Sequence, residues 1–271
     1  RYYGGEGDDR FIGGNAADWI DMGAGANFIS SGFGNDIINL YAGASDVVEA
    51  GRGDDHIYIP TFGDFDIKGG GGQDQITIDG FSSTAPVKLR DHYLEMTSGN
   101  RVLEVAFSED LERLEMIDGA ERMKLDMVGM DFGDTSVKIT ANGILDVTAP
   151  QSYVAPKGHL EVKADGIDGV MRTELGSLNV INTASSGDFV GITLVERDDL
   201  SLVGGEFGNH GLVTSTGSID ISITERDKTL TLAQGRIAIL AGDGDIDIVA
   251  DDVDFASGND KVQAVGEFRL R

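Results

Sequence analysis

The nine residues Gly4–Ile12 read GGEGDDRFI, and variants of this unit follow one another along the N-terminal part of the chain. Each unit combines glycines, then an aspartate, then a large apolar residue two places further on. The succession continues to about residue 78, where Gly69–Thr77 (GGGGQDQIT) is again almost complete. One-residue insertions near Leu40 and near Pro60 shift the frame without ending it. A fixed short period of this kind indicates a repeat architecture.

A glycine-rich turn followed by a very short strand accounts for the spacing. Glycine allows the positive φ values that a tight turn requires, and alternate side chains of a strand point to opposite faces. Only the central apolar residue of each strand then faces inward. These residues predict a continuous core, formed by Phe11, Ile20, Ile29, Ile38, Val48, Ile57, Ile67 and Ile76.

The aspartates of the units are candidate metal ligands. Two units complete one coil, so the turns alternate between two edges, and coils stacked about 4.8 Å apart bring the carboxylates of each edge together. Ca²⁺, which accepts carboxylate and carbonyl oxygens, would relieve their repulsion; the alternative is that they serve only as turn residues. The predicted ligands are Asp18, Asp36, Asp55 and Asp74 on one edge, and Asp9, Asn27 and Asp46 on the other, where Phe65 takes the fourth place.

These units resemble the RTX family of calcium-binding nonapeptide repeats over about residues 4–78. The resemblance implies a parallel β-roll, Ca²⁺ as the bound ion, and backbone carbonyls of the turns as further ligands. It also implies that the chain belongs to a secreted bacterial protein. We therefore expect an extracellular or cell-surface location.

The rest of the chain predicts β-structure without the nonapeptide. Residues 79–135 contain short alternating runs divided by turn signals, which indicate irregular β-solenoid rungs. From residue 136 onward, similar segments recur at Gly176–Val180, Gly217–Ile221 and Gly244–Ile248. Their spacing is typical of coils built from about three short strands. This part resembles the β-helical repeats of large bacterial secreted exoproteins and adhesins.

The predicted fold is therefore all-β, a parallel β-solenoid in three divisions. Residues 1–78 would form an RTX-type calcium-binding β-roll and residues 79–135 the irregular rungs. Residues 136–271 would form a right-handed parallel β-helix.

Charge and composition exclude several functions. The chain has 21 basic and 47 acidic residues, so its net charge is 21 − 47 = −26, and it repels the phosphates of nucleic acids and of anionic lipids. It contains no cysteine, which excludes disulfides and thiolate zinc sites. No apolar run approaches the roughly 20 residues of a membrane span. We expect neither nucleic-acid binding nor membrane insertion.

No catalytic motif of a serine hydrolase, a zinc protease or a nucleotide-binding loop is present. His159 and His210 have no evident partners in the sequence, so we predict that the chain is not an enzyme. The alternative is a catalytic or non-catalytic β-helix module of a secreted polysaccharide lyase or epimerase, which would need a basic groove. The alternating Asp243, Asp245 and Asp247 could hold a second cation, although a solvated strand face is the simpler interpretation.

The sequence thus predicts a calcium-stabilised structural segment of a secreted bacterial surface protein, such as an adhesin, a surface layer or an extracellular filament. Outward strand positions include Trp19 and Ile37, which are either ordinary exposed apolar residues or the contact for a covering segment or a lateral partner. The pattern Val265–Arg271 shows no polar cap, so the end coils either continue or stack on another copy. In such a contact, Arg269 and Arg271 would meet an acidic first turn. Expected partners are the chain itself, end to end or laterally, or cell-surface and matrix components.

Overall fold

The computed structural model describes residues 1–43, 45–127, 135–148, 153–154, 158–206, 210–232, 238–255 and 262–271. These residues form short strands joined by turns, and none of them lies in a helix. Accordingly, the described chain offers no long apolar helix that could cross a bilayer.

The described residues contain 32 β-strands. In chain order the strands are β1 (Tyr2–Glu6), β2 (Arg10–Ile12), β3 (Trp19–Gly25), β4 (Phe28–Ser30), β5 (Ile37–Asn39), β6 (Ala42–Gly43), β7 (Ser45–Arg52), β8 (His56–Ile59), β9 (Asp64–Gly71), β10 (Gln75–Phe81), β11 (Val87–Arg90), β12 (Tyr93–Ser98), β13 (Arg101–Phe107), β14 (Arg113–Asp118), β15 (Arg122–Asp126), β16 (Ser136–Ala141), β17 (Ile144–Asp146), β18 (Tyr153–Val154), β19 (His159–Ala164), β20 (Ile167–Asp168), β21 (Met171–Thr173), β22 (Ser177–Asn182), β23 (Ile192–Glu196), β24 (Leu200–Leu202), β25 (Leu212–Thr214), β26 (Ile219–Ile223), β27 (Thr229–Leu232), β28 (Ile239–Ala241), β29 (Ile246–Val249), β30 (Asp252–Asp254), β31 (Val262–Ala264) and β32 (Phe268–Leu270).

These strands form three sheets, stacked coil on coil. A sixteen-stranded sheet follows the order β1-β3-β5-β8-β10-β14-β16-β19-β22-β24-β27-β30, with β6, β25, β28 and β31 beside this path. A ten-stranded sheet follows β2-β4-β7-β9-β13-β12-β11-β15-β17-β20, and a six-stranded sheet follows β18-β21-β23-β26-β29-β32. The all-β parallel solenoid predicted from the sequence is confirmed.

The core of the repeat region has the predicted register. Ile38 lies directly opposite Ile20 and Ile57 in the neighbouring strands, and Ile29 lies opposite Val48 in the second sheet. The predicted inward residues are buried, except for the half-buried Phe11, which packs against the same core. Each buried aliphatic side chain stabilises the coil by roughly 1.5–3 kcal/mol relative to exposure.

The middle segment departs from parallel pairing. Strands β11, β12 and β13 form an antiparallel meander between β9 and β15. Residues 91–92 and 99–100 connect them, and His92 and Gly99 have φ values of 55° and 60°. Connections of two residues can join only antiparallel strands. The rungs expected here are therefore strands of mixed direction.

Coils in the C-terminal part consist of three strands, as predicted. Ile219 of β26 lies opposite Ile192 of β23 and Ile246 of β29, so the repeat lengths are 219 − 192 = 27 and 246 − 219 = 27 residues. The expected equivalence of Gly176–Val180 and Gly217–Ile221 is wrong, because β22 belongs to the sixteen-stranded sheet and β26 to the six-stranded sheet. Strands in both sheets need the same alternation, so similar sequences fit either place.

Candidate metal centre

One edge of the repeat region carries four aspartates that are bonded to one another across the coils. The N–H of Asp18 donates to Oδ1 of Asp36 at 2.7 Å, and the N–H of Asp36 donates to Oδ1 of Asp55 at 2.7 Å. The N–H of Asp55 donates in turn to Oδ1 of Asp74 at 2.9 Å. All but the half-buried Asp18 are almost completely buried. We call these four residues the first aspartate column.

The opposite edge repeats this arrangement, and we call its residues the second column. The N–H of Asp9 donates to Oδ1 of Asn27, and the N–H of Asn27 donates to Oδ1 of Asp46, both at 2.9 Å. Phe65 lies opposite Asp46 in the following strand and is fully buried. The aromatic side chain joins the core at this place and provides no ligand, so the second column is one residue shorter and has two aspartates instead of four.

The second carboxylate oxygen of the column residues is buried and lacks a hydrogen-bond partner within the described part of the chain. This applies to Oδ2 of Asp9, Asp36, Asp46, Asp55 and Asp74. An unpaired buried carboxylate oxygen is costly. Its recurrence at the same place in successive coils indicates a position for a cation.

Two of the unpartnered oxygens, those of Asp9 and Asp74, face the glycine that stands five residues earlier in the chain. Oδ2 of Asp9 lies 2.7 Å from the point where a Cβ on Gly4 would stand. Oδ2 of Asp74 has the same relation, at 2.7 Å, to Gly69. A side chain at either glycine would fill the space beside that carboxylate.

Burial disfavours the charged form of these carboxylates. It raises the pKa of Asp46, and it raises the pKa of Asp55 and of Asp74 to about 6. Neighbouring negative charges add to the rise in pKa, that of Asp36 at Asp55 and that of Glu112 at Asp74. The backbone N–H bonds to Oδ1 lower the pKa but do not cancel the effect of burial. At neutral pH the columns therefore hold negative charges that burial and mutual repulsion make unfavourable.

The donor set fits a hard divalent cation. Carboxylate and backbone carbonyl oxygens are the ligands that Ca²⁺ prefers, and the chain has no cysteine for softer metals. Among the described residues, no three His, Asp or Glu side chains converge closely enough to hold a metal alone. An ion bound here would therefore also need carbonyls of the turns as ligands. All seven predicted ligands lie in the two columns, and their coordination of an ion stays a prediction.

The repeat sequence of the N-terminal coils identifies their family. Residues 3–38 and 42–58 match the family model of the RTX calcium-binding nonapeptide repeat, in four copies. These coils are RTX repeats. The same geometry continues past the match, because Gln75–Ile78 pairs in parallel register with His56–Ile59. No curated protein and no solved structure matches the chain significantly.

Glu112, which the nonapeptide pattern does not include, continues the first aspartate column beyond the RTX repeats. The N–H of Asp74 donates to Oε2 of Glu112 at 2.7 Å. A signal for this role exists in the sequence. Glu112 precedes the inward Leu114 by two residues, as Asp74 precedes the inward Ile76, and these two inward residues lie opposite each other.

A second, exposed ladder runs outside the first column and was not expected. Oδ1 of Asn35 accepts the N–H of Asp54, and Oδ1 of Asp54 accepts the N–H of Gln73, both at 3.0 Å. These residues stand immediately before the buried aspartates. The place that varies in the nonapeptide thus also links the coils.

The candidate second cation position in the C-terminal part is occupied by arginine side chains. Arg269 lies 3.6 Å from a carboxylate oxygen of Asp245, and Arg271 pairs with Asp247. These ion pairs favour the interpretation of this strand as a solvated face. They also hold both arginines against their own chain.

Proposed function

We propose that the chain is a non-enzymatic, calcium-stabilised structural segment of a large secreted bacterial surface protein, such as an adhesin, a surface layer or an extracellular filament. One observation carries this proposal. Columns of buried aspartates with unpartnered oxygens run parallel to the core of an elongated solenoid. RTX repeat proteins are typically secreted, which supports the extracellular location.

The aspartate columns would make the stiffness of the segment depend on calcium. Oδ1 of Asp36, Asp55 and Asp74 accepts a backbone N–H of the preceding coil, while Oδ2 of the same residues is buried without a partner among the described residues. When bound, calcium supplies the positive charge and the coordination that such oxygens need. The hydrogen-bond ladder then holds the turns in register, because separating two neighbouring coils would break the column bonds between them.

The core passes from the RTX repeats into the following coils. Leu114 lies opposite Ile76 of the last repeat and opposite Val137 of the next coil. The sixteen-stranded sheet connects β1 to β30 through hydrogen-bonded neighbours. This continuity supports a single stiff element that transmits force along its axis.

The distribution of basic side chains supports a non-catalytic role. A lyase or epimerase acting on an acidic sugar needs free positive charge, yet several of the described basic residues in the C-terminal half lie against carboxylates. Lys138 lies 2.7 Å from Glu115 and 2.8 Å from Glu206. Other such residues are Arg197, Lys228, Arg269 and Arg271.

The expectation that His159 has no partner is wrong. Its Nδ1 lies 2.9 Å from the hydroxyl of Ser177, and its Nε2 lies 3.2 Å from a carboxylate oxygen of Glu161. These residue types can form a hydrolytic triad, which also needs backbone donors for an oxyanion. Here the N–H of Ser177 donates to the carbonyl of Gly158 at 3.3 Å. We therefore assign the contact a structural role between adjacent strands.

Two features support self-association as part of this function. Tyr3, Ile37 and Tyr41 of the repeat region are exposed, with Tyr3 64% exposed, which favours a lateral partner. Strands β1 and β32 each pair on one side only within the described chain. Either further coils or another copy would pair there.

Electron microscopy and light scattering of the purified chain, with millimolar calcium and with chelator, test this function. We expect calcium to produce straight, elongated particles that lengthen with protein concentration. A compact particle whose shape does not respond to calcium would contradict the structural role. Turnover of alginate or pectate by the chain would favour the alternative of a polysaccharide-modifying module.

A further inference from the structure

The boundary between the RTX repeats and the following coils carries an acidic turn. Residues 108–112 (SEDLE) lead from β13 to β14 and stack on the last glycine-rich turn, 69–74. The N–H of Ser108 donates to the carbonyl of Ile67 at 3.0 Å, and the N–H of Gly69 donates to the hydroxyl of Ser108 at 3.3 Å. The acidic turn is thus fixed against the first glycine of the last repeat.

Asp74 directs an unpartnered oxygen into this contact. The residue is 1% exposed, and its Oδ2 has no hydrogen-bond partner among the described residues. Oδ2 lies 2.7 Å from the point where a Cβ on Gly69 would stand, and the carbonyl oxygen of Asp110 lies 3.0 Å from that same point. Two oxygens from successive coils therefore converge on the space beside Gly69.

Negative charge accumulates around these two oxygens. Asp110 and Glu112 both act electrostatically on Asp74. Arg113, the adjacent basic residue, directs its guanidinium to Glu206 at 2.6 Å, on the outer face. Oε2 of Glu112 accepts the N–H of Asp74 at 2.7 Å, so the Glu112 carboxylate is held in place beside the contact.

We propose that Asp74, Asp110 and Glu112 form a separate divalent-cation site, with calcium as its ion, at the end of the RTX repeats. This inference rests on the proposed calcium binding of the repeats but uses an acidic turn outside their pattern. Asp74 contributes Oδ2 and Asp110 its backbone carbonyl, while the carboxylates of Asp110 and Glu112 balance the charge of the ion. The carbonyl is a necessary member, because the side chains alone do not converge as a metal-binding group within the described chain.

The site would tie together the turns that precede β10 and β14, whose bonded residues Asp74 and Glu112 are 38 positions apart. The antiparallel meander β11–β13 lies inside the segment that this link closes. An ion that binds the folded turns and not the unfolded chain shifts the equilibrium toward the folded state. The site would therefore stabilise the junction between the two-stranded repeat coils and the coils that follow.

The number of calcium ions bound by the full chain and by matched variants tests the proposal, using calorimetric titration with Ca²⁺ and native mass spectrometry. The test variant combines Asp110→Asn with Glu112→Gln. The two substitutions remove two negative charges, and the amide oxygen introduced at position 112 can still accept the N–H of Asp74. The control is Glu109→Gln, an exposed carboxylate next to the site. We expect the test variant to bind one ion fewer than the wild type and the control to bind the same number.

An unchanged number of ions with unchanged affinity in the test variant would overturn the junction site and leave the repeat sites standing. No binding by the wild-type chain would overturn the proposed function as well. If the double variant fails to fold, Glu112→Gln alone is titrated, and amide hydrogen exchange of β14 is measured in the wild type. Protection of β14 that does not depend on calcium would then contradict the site.

Discussion

Asp36 donates its backbone N–H to Oδ1 of Asp55, 2.7 Å away in the next coil. Oδ2 of the same Asp55 carboxylate is buried and has no hydrogen-bond partner among the described residues. One side chain therefore supports the preceding turn through one oxygen and offers the other oxygen to a cation. In the proposed calcium-bound state, stability of the coil and affinity for calcium would depend on different atoms of the same group.

Substitutions at Asp36 separate these two roles. Asp36→Asn keeps an oxygen that can accept the N–H of Asp18 and removes the charge, so we expect weaker calcium binding with little loss of stability in chelator. Asp36→Ala also leaves the Asp18 N–H unpaired, which costs about 1–3 kcal/mol. Calorimetric titration with calcium and chemical denaturation in chelator measure the two effects independently.

Asn27 provides the matched control in the second column, because it accepts the N–H of Asp9 without carrying a charge. Asn27→Ala should lower the stability by a similar amount and reduce the calcium affinity less than Asp36→Ala does. Equal losses of calcium affinity in the two alanine variants would show that the charge of the column residue is unimportant.

The raised pKa values of Asp55 and Asp74 predict a pH dependence of stability without calcium. Burial raises both from the ordinary 3.8 to about 6, so the folded chain binds more protons than the unfolded chain between these values. Their contribution to stability is present below pH 3.8 and is lost as the pH rises through about 6. In chelator, thermal unfolding of the repeats should therefore occur at lower temperature at neutral pH than near pH 4.

Calcium should show the complementary dependence, because binding requires deprotonated carboxylates. Its affinity should fall as the pH drops below about 6. The double variant Asp55→Asn, Asp74→Asn is the control in chelator, since it removes both titrating groups and should flatten the change in unfolding temperature. A stability in chelator that rises with pH through this range would contradict the assignment.

Adjacent glycines in the last repeat turn test the close approach of the stacked turns. Gly70 has a φ of 109°, and an added Cβ would stand 1.9 Å from the carbonyl oxygen of Gly51. The nearest atom to a Cβ on Gly71 is a side-chain carbon of Arg52 at 3.9 Å. Gly70→Ala should cost roughly 1–3 kcal/mol and Gly71→Ala within about 0.5 kcal/mol, measured by denaturant unfolding. Equal costs at the two positions would show that the turns are not packed this closely.

Much of the repeat region could be predicted because its residues have fixed roles at a fixed period. Ile38 faces inward and Asp36 faces its turn for reasons that recur in every unit. The place of Glu112 in the first aspartate column was not predicted, because Glu112 lies 38 residues after Asp74 and the nonapeptide period is interrupted between them. Only the stacking of coils shows that the two residues occupy equivalent places.

The remaining differences arise where local patterns do not specify the partner strand. Alternating apolar residues fit parallel and antiparallel pairs equally, so the direction of β12 depended on the short turns on either side of it. Similar local sequences occur at Gly176–Val180 and Gly217–Ile221, yet these segments lie in different sheets. Each coil contributes strands to more than one sheet, and the local pattern does not specify which one. The side chain of His159 contacts Ser177, which lies opposite it in the adjacent strand but 18 residues away in the chain.

Amide hydrogen exchange of the full chain, followed by mass spectrometry with calcium and with chelator, tests most directly whether a cation holds the aspartate columns together. We predict that the strands of the RTX repeats, β1 to β10, are protected only with calcium, since buried carboxylates repel and glycine-rich turns carry a high ordering entropy without it. Strands β26 and β29, which lie far along the chain from the columns, are the internal reference and should be protected in both conditions. Equal protection of β1 to β10 with and without calcium would contradict the account.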